Sequence, residues 1–265
     1  MINRFSAFAN LNSTNNVPAN RTSFPTDNDK LNWKCYEIHD TLFIGWALQA
    51  HTLKSTLLGM DQNGHPDFDT TYSPLGEKIH QLKSNKSKLS ENDKKNIADE
   101  LANEVIHFLQ GNLPPEEIDV IISTPSSKKR DFHHVNYIAE KIAHQLKRKV
   151  DLNYIKKIKE TPQLKSIDDI DEKMEVLKNA FQVDTSYQGR KVLIFDDIID
   201  NGITLTNIAA EIINTGKAQK LYFLTLTRTK KIDENRLKNY FLELTANNNN
   251  QYNENKTFCN NNFWD

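Results

Sequence analysis

Cysteine is nearly absent from this chain. Cys35 and Cys259 are the only two in 265 residues, they lie far apart, and no Cys-x-x-Cys pair occurs. That excludes a disulfide framework and the cysteine-based zinc patterns, and it fits a reducing compartment. Cys35, His39 and His51 follow no zinc-ligand spacing, so no metal centre is expected from them. Long apolar runs are missing as well, and nothing approaches the roughly 20 residues that a membrane helix needs. Residues 1–20 lack the apolar stretch of a secretory leader. Charge of one sign is also missing: 34 Lys plus Arg stand against 35 Asp plus Glu, a formal net charge of −1. No global basic field argues for a membrane surface or for nucleic acid, and no helix-turn-helix pattern is evident, so direct nucleic-acid binding is disfavoured. A cytoplasmic protein without membrane contact is expected.

The chain is long enough for one sizeable core with an added subdomain. Residues 1–30, rich in Asn, Ser, Thr and Pro, read as a flexible arm. The Asn-rich tail, 245–265, ends in Phe263-Trp264-Asp265 and reads as disordered. Between them strands are expected at 41–48, 118–122, 150–153, 191–195 and 221–227. A helix is expected at 91–109, with Ile97, Leu101, Val105 and Leu109 on one stripe and Pro114-Pro115 beyond its end. Another is expected at 136–146, with Ile138, Ile142 and Leu146 aligned. Strands separated by helices imply βαβ units. The fold class expected is α/β, a mostly parallel central sheet flanked by helices, with an N-terminal α+β extension. The divisions are the arm, an extension or hood over 31–112, the core over 113–244, and the tail. Trp33, Phe43 and Trp46 read as core anchors.

The most informative stretch is Val192-Leu193-Ile194-Phe195-Asp196-Asp197-Ile198-Ile199-Asp200-Asn201-Gly202-Ile203-Thr204. It reads as an apolar strand ending in two carboxylates, then a small polar loop. Leu205, Ile208, Ala209 and Ile212 then form one face of a helix. Such a loop and helix start offer backbone N–H groups and a favourable dipole to a 5′-phosphate. Gly202 permits close approach and a turn. Asp196 and Asp197 are suited to accept hydrogen bonds from two ribose hydroxyls. The bland alternative is an ordinary acidic βα turn. A second loop, Ser123-Thr124-Pro125-Ser126-Ser127-Lys128-Lys129-Arg130, also follows a strand. Hydroxyls, N–H groups and cations there can cradle pyrophosphate, with Ser126, Ser127, Lys128, Lys129 and Arg130 as the binding set. The alternative is an exposed basic loop. His133 and His134, just beyond it, read as surface residues, with contact of one of them to pyrophosphate as the alternative.

Residues 195–204 resemble the phosphoribosyl pyrophosphate (PRPP) motif of the type I phosphoribosyltransferases, with Asn201 where Thr is usual. Residues 130–143, the segment Lys157-Ile158-Lys159-Glu160-Thr161-Pro162-Gln163, Asn179 to Val183, and Leu224 to Thr229 resemble the ComF-like, amidophosphoribosyltransferase-type branch. Leu75-Gly76-Glu77 through Leu82-Lys83 is similar to a segment of the same branch that precedes a Leu-Lys-Tyr. Departures are Asp131 for Gly, His133-His134 for Asn-Gln and Lys157 for Arg, and the branch's Cys-rich zinc module is absent. The resemblance implies a protein that binds PRPP with Mg²⁺ and transfers phosphoribose to or from a nitrogen nucleophile or nucleobase. Asp196 and Asp197 would bind ribose and Asp200, Asn201, Gly202, Ile203 and Thr204 the 5′-phosphate. Asp200 would also be the catalytic candidate, as general base or nucleobase partner; helix capping is its alternative role. No direct protein ligand to the metal is expected beyond an outer-shell role for Asp196 and Asp197. Partners implied are PRPP or a nucleoside monophosphate and a nucleobase acceptor. The alternative function is a non-catalytic PRPP- or nucleotide-sensing accessory protein, in competence-type DNA uptake or as a bacterial defence or toxin effector. In such enzymes a loop closes over PRPP, and 155–181 reads either as that lid or as a surface helical insertion. The acceptor and any homo-oligomeric state stay open.

Overall fold

The computed structural model describes residues 36–38, 41–60, 64, 66–84, 89–126, 131–162, 164, 167–229 and 234–246. The elements run β1 (Tyr36–Ile38), β2 (Thr41–Ala50), β3 (Thr52–Met60), β4 (Pro66–Tyr72), α1 (Pro74–Lys83), α2 (Glu91–Asn112), β5 (Val120–Ser123), α3 (His134–Leu146), β6 (Lys149–Asp151), β7 (Lys156–Lys157), α4 (Ile170–Leu177), β8 (Phe181–Gln182), β9 (Lys191–Ile199), α5 (Ile203–Asn214), β10 (Lys220–Arg228) and α6 (Glu234–Ala246).

The main sheet has the order β1-β2-β10-β9-β5-β6. Five of its strands, β2, β10, β9, β5 and β6, are parallel, and β1 is antiparallel at the edge. The expected α/β class therefore holds. The extension is built into this sheet: β2 pairs with β10 along most of its length.

Period-two alternation sends successive strand residues to opposite faces. Val192, Ile194, Leu221 and Phe223 pack under α4, α5 and α6. Leu193, Phe195, Tyr222 and Leu224 pack under α1, α2 and α3. So α3 leaves β5 on one face and α5 leaves β9 on the other. Strand order reverses between β5 and β9, and in open α/β sheets the ligand crevice lies at such a reversal, beyond the C-terminal strand ends.

Two starts show how local chemistry sets the elements. Ser90 caps α2 in a reciprocal pair: its hydroxyl accepts from Asp93 N–H and Asp93 accepts from Ser90 N–H, both at 3.1 Å. Gly76, in the first turn of α1, is required by contact, because a Cβ there would meet the His51 carbonyl oxygen at 2.1 Å. At the N-terminal end of the sheet, Glu117 binds Lys191 at 3.0 Å, Lys220 at 2.6 Å and the Tyr222 hydroxyl at 2.7 Å. Burial opposes its charge, but these partners hold its carboxyl down at about 2.

The described part of segment 155–181 is anchored in the core at several points. Ile155, Ile167, Met174, Leu177, Ala180 and Phe181 are buried in the α5-side core, while Lys156, Lys157 and Lys159 are exposed. Gln163 lies outside the described residues, as do Trp33, Cys35, His39 and nearly all of the arm and tail. The β3–β4 hairpin leaves the sheet directly after β2 and carries Leu53, Leu57, Leu58, Met60 and Phe68 exposed.

Candidate functional site

The acidic pair does not end its strand. β9 continues to Ile199, because β10 goes on pairing with it through Thr225↔Asp196 and Arg228↔Ile199. Pairing with β5 stops at Ser123↔Phe195. From Asp196 onward β9 is therefore paired on one side only, and its β5-facing edge is unpaired at the reversal of strand order.

Adjacent residues of a strand face opposite ways, and the two carboxylates have different surroundings. Asp196 shares the face of Ile194, toward α5. Its carboxylate accepts from the Asp197 N–H at 2.8 Å and from the Thr124 side chain. Thr124 N–H in turn donates to the Phe195 carbonyl at 3.2 Å, so the start of the 123–126 loop is tied to Asp196. Burial, and then the Asp197 charge, push the Asp196 carboxyl up to about 7. Thr225, beside Asp196 on β10, is fully buried, and its hydroxyl has no partner among the described residues.

Asp197 faces α1 and α3. Lys83 Nζ lies 2.9 Å and 2.8 Å from its two oxygens, and His134 Nε2 lies 2.5 Å from one of them. Burial opposes its charge, yet Lys83 and His134 hold its carboxyl well below the usual carboxylate range. His134 is thus buried, contrary to the surface position expected from sequence, because the first turn of α3 aims it at β9. Its Nδ1 is buried without a hydrogen-bond partner among the described residues.

Beyond β9, Asp200 accepts a hydrogen bond from the Thr229 hydroxyl at 2.5 Å, and Thr229 N–H donates to the Ile199 carbonyl at 2.9 Å. Asp200 is not the helix cap. Gly202 holds the cap position with φ +82°, a left-handed conformation that favours glycine. Asn201 supplies the side-chain acceptor instead, taking the Ile203 N–H at 3.2 Å. The N–H groups of Thr204 and Leu205 lie in the first turn of α5, where the helix itself supplies no acceptor. The loop thus leaves two N–H groups and the positive dipole end at the start of α5, just beyond the unpaired edge of β9.

Residues 137–259 match the family model of the phosphoribosyl transferase domain. The phosphoribosyl transferase match takes in β9, the 200–202 loop, α5 and β10. The 123–126 loop, His134 and Lys83 lie before it. Comparison with curated proteins gives no match. Among solved structures, the chain is similar to a hypoxanthine-guanine phosphoribosyltransferase from Bacillus anthracis (20% identity, 54% of this chain and 74% of that one, TM-score 0.32). It is also similar to an adenine phosphoribosyltransferase (14% identity, 71% of this chain and 91% of that one, TM-score 0.38). A purine phosphoribosyltransferase from Pyrococcus horikoshii is a third (18% identity, 50% and 86%, TM-score 0.32).

Of the residues singled out in the sequence, Asp196, Asp197, Asp200, Asn201, Gly202, Ile203 and Thr204 gather at the C-terminal end of β9. Ser126 is exposed on the neighbouring loop; Ser127, Lys128, Lys129 and Arg130 lie outside the described residues. Sequence reasoning did not assign Lys83, Thr225 or Thr229 to the site, and named Thr124 only as part of the pyrophosphate loop, not as a partner of Asp196. Lys83 stood in a quoted motif, but nothing local signals that it reaches Asp197. Among the described residues no three His, Cys, Asp or Glu side chains gather as a metal site, and no helix is long and apolar enough to cross a membrane.

Proposed function

We propose that this protein is a cytoplasmic, PRPP-dependent phosphoribosyltransferase-like enzyme acting on a nitrogen nucleophile such as a nucleobase. One observation carries the reading: the open edge of β9 places Asp196 between the 123–126 loop and the glycine-capped start of α5. The 5′-phosphate rests on the N–H groups of Thr204 and Leu205, the ribose on Asp196 beside the ordered Asp197, and pyrophosphate on the loop that includes Ser126. Mg²⁺ suits this donor set as a metal carried by the ligand: Asp197's oxygens are already taken, and Asp196 offers one carboxylate beside substrate oxygens. When bound, it would neutralise charge on the departing pyrophosphate. The protein's own part is to hold the ribose, present donors to developing negative charge and orient the acceptor, for which Asp200 is the candidate base. The finer placement beside the ComF-like branch rests on residues 130–143, 157–163, 179–183 and 224–229.

A second reading, nucleotide sensing without transfer, is favoured by the engagement of Asp200 with Thr229, which occupies the candidate base. Calorimetry with PRPP and Mg²⁺ tests binding, and ligand at a hundredfold over its dissociation constant should stabilise the fold by about 2.7 kcal/mol. Absence of both heat and thermal shift removes the proposal. Pyrophosphate release with a panel of bases separates enzyme from sensor. In an enzyme, Asp200→Asn keeps the Thr229 bond and PRPP affinity but lowers turnover by ~10²–10⁴. Wild-type binding without turnover on any base favours the sensor.

A further inference from the structure

The phosphoribosyl transferase match begins at residue 137, yet the carboxylate of Asp197 is held by two residues before it. Lys83 ends α1, in the N-terminal extension, and His134 opens α3. Asp197 and His134 side chains are 6% and 4% exposed, whereas Lys83 is 32% exposed. Holding α1 to the sheet does not require this cation. Leu75, Ile79 and Leu82 already bury α1 in the core, and the Ser73 cap and Gly76 contact pin its start. A buried ion pair is in any case weak support for stability compared with apolar packing. What Lys83 does provide is charge balance. Two adjacent carboxylates face a ligand that would bring phosphate and pyrophosphate charges. Lys83 cancels one of them without removing its geometry, and His134 Nε2 fixes the same carboxylate from the start of α3.

We propose that Lys83 is a positioning residue of the site: from α1 it orders and neutralises Asp197, so that a polyanionic phosphoribosyl ligand can settle against Asp196. The inference rests on the PRPP reading above and adds to it that the N-terminal extension is part of the binding machinery.

The test compares Lys83→Met, Lys83→Arg and Lys78→Met in the full chain. Lys78 is the control, because it lies on the same helix, is 31% exposed and pairs with Glu100 at 2.9 Å. Calorimetry with PRPP and Mg²⁺ gives affinity, and thermal unfolding without ligand gives stability. Lys83→Met should weaken PRPP binding about tenfold or more, Lys83→Arg should restore it to within about threefold, and Lys78→Met should leave it unchanged. Unchanged affinity in Lys83→Met overturns the inference while leaving the PRPP reading standing. An equal loss in Lys78→Met also overturns it, since the effect would then pass through the docking of α1. If Lys83→Met does not fold, Lys83→Gln replaces it: weaker binding supports the role, unchanged binding overturns it. A wild type that binds no PRPP overturns both.

Discussion

Burial and the charge of its neighbour push the Asp196 carboxyl up to about 7, while Lys83 and His134 hold Asp197 in the charged form. The folded chain therefore binds the Asp196 proton more tightly than the unfolded chain does. As pH rises from 3.8 toward 7, this group subtracts from stability. Ligand binding runs the other way, because ribose hydroxyls donate to the ionised form. PRPP affinity should rise with pH up to about 7 and fall on the acid side by up to about tenfold per pH unit. Asp196→Asn has no such proton, so the difference between the two calorimetric pH profiles isolates the group. Parallel profiles would take ribose binding away from Asp196. The site was half legible in the sequence for a residue-scale reason. Carboxylates, glycine and polar loop residues announce themselves by their order along the chain. The contacts that set their charge do not: Lys83 and His134 reach Asp197 from far away in sequence, and neither position looks special on its own.

Among the elements, β2, β5, β6, β9, β10, α2, α3 and α5 were readable from apolar periodicity, with boundaries off by a few residues. β9 was read too short because two carboxylates look like a strand end. One-sided pairing with β10 carries the backbone on, which no local pattern signals. The β3–β4 hairpin escaped because its apolar residues face solvent, so burial never imposed a readable alternation to a core. The N-terminal ends of β9 and β10 are joined through Glu117, whose depressed carboxyl stabilises the fold above the ordinary range. That contribution is complete above about pH 4.5 and is lost as pH falls toward about 2. Glu117→Gln should lower the urea midpoint at pH 7, and the gap from wild type should narrow progressively below pH 4.5. A gap that stays constant down to pH 3 would show that the clamp acts through shape and not charge.

For the molecule as a whole, the order β2-β10-β9-β5 means that the last strand of the sheet is inserted between strands made earlier. β10 joins β2, from near the start of the described chain, to β9, and both ladders run almost its full length. The β2–β10 pairing, the one distant in sequence, forms slowly. A fragment ending at residue 219 should accordingly lack a cooperative thermal transition, whereas the full chain should show one; a cooperative melt of the fragment would mean that β2 finds another partner. The same order has a consequence during synthesis. A ribosome delivers β2 long before residues 220–228 exist, so the nascent chain carries an apolar, half-made edge until β10 has been made. Chaperone dependence and sensitivity to stalled synthesis would therefore be set by the placement of one strand, with no bearing on the chemistry of the site.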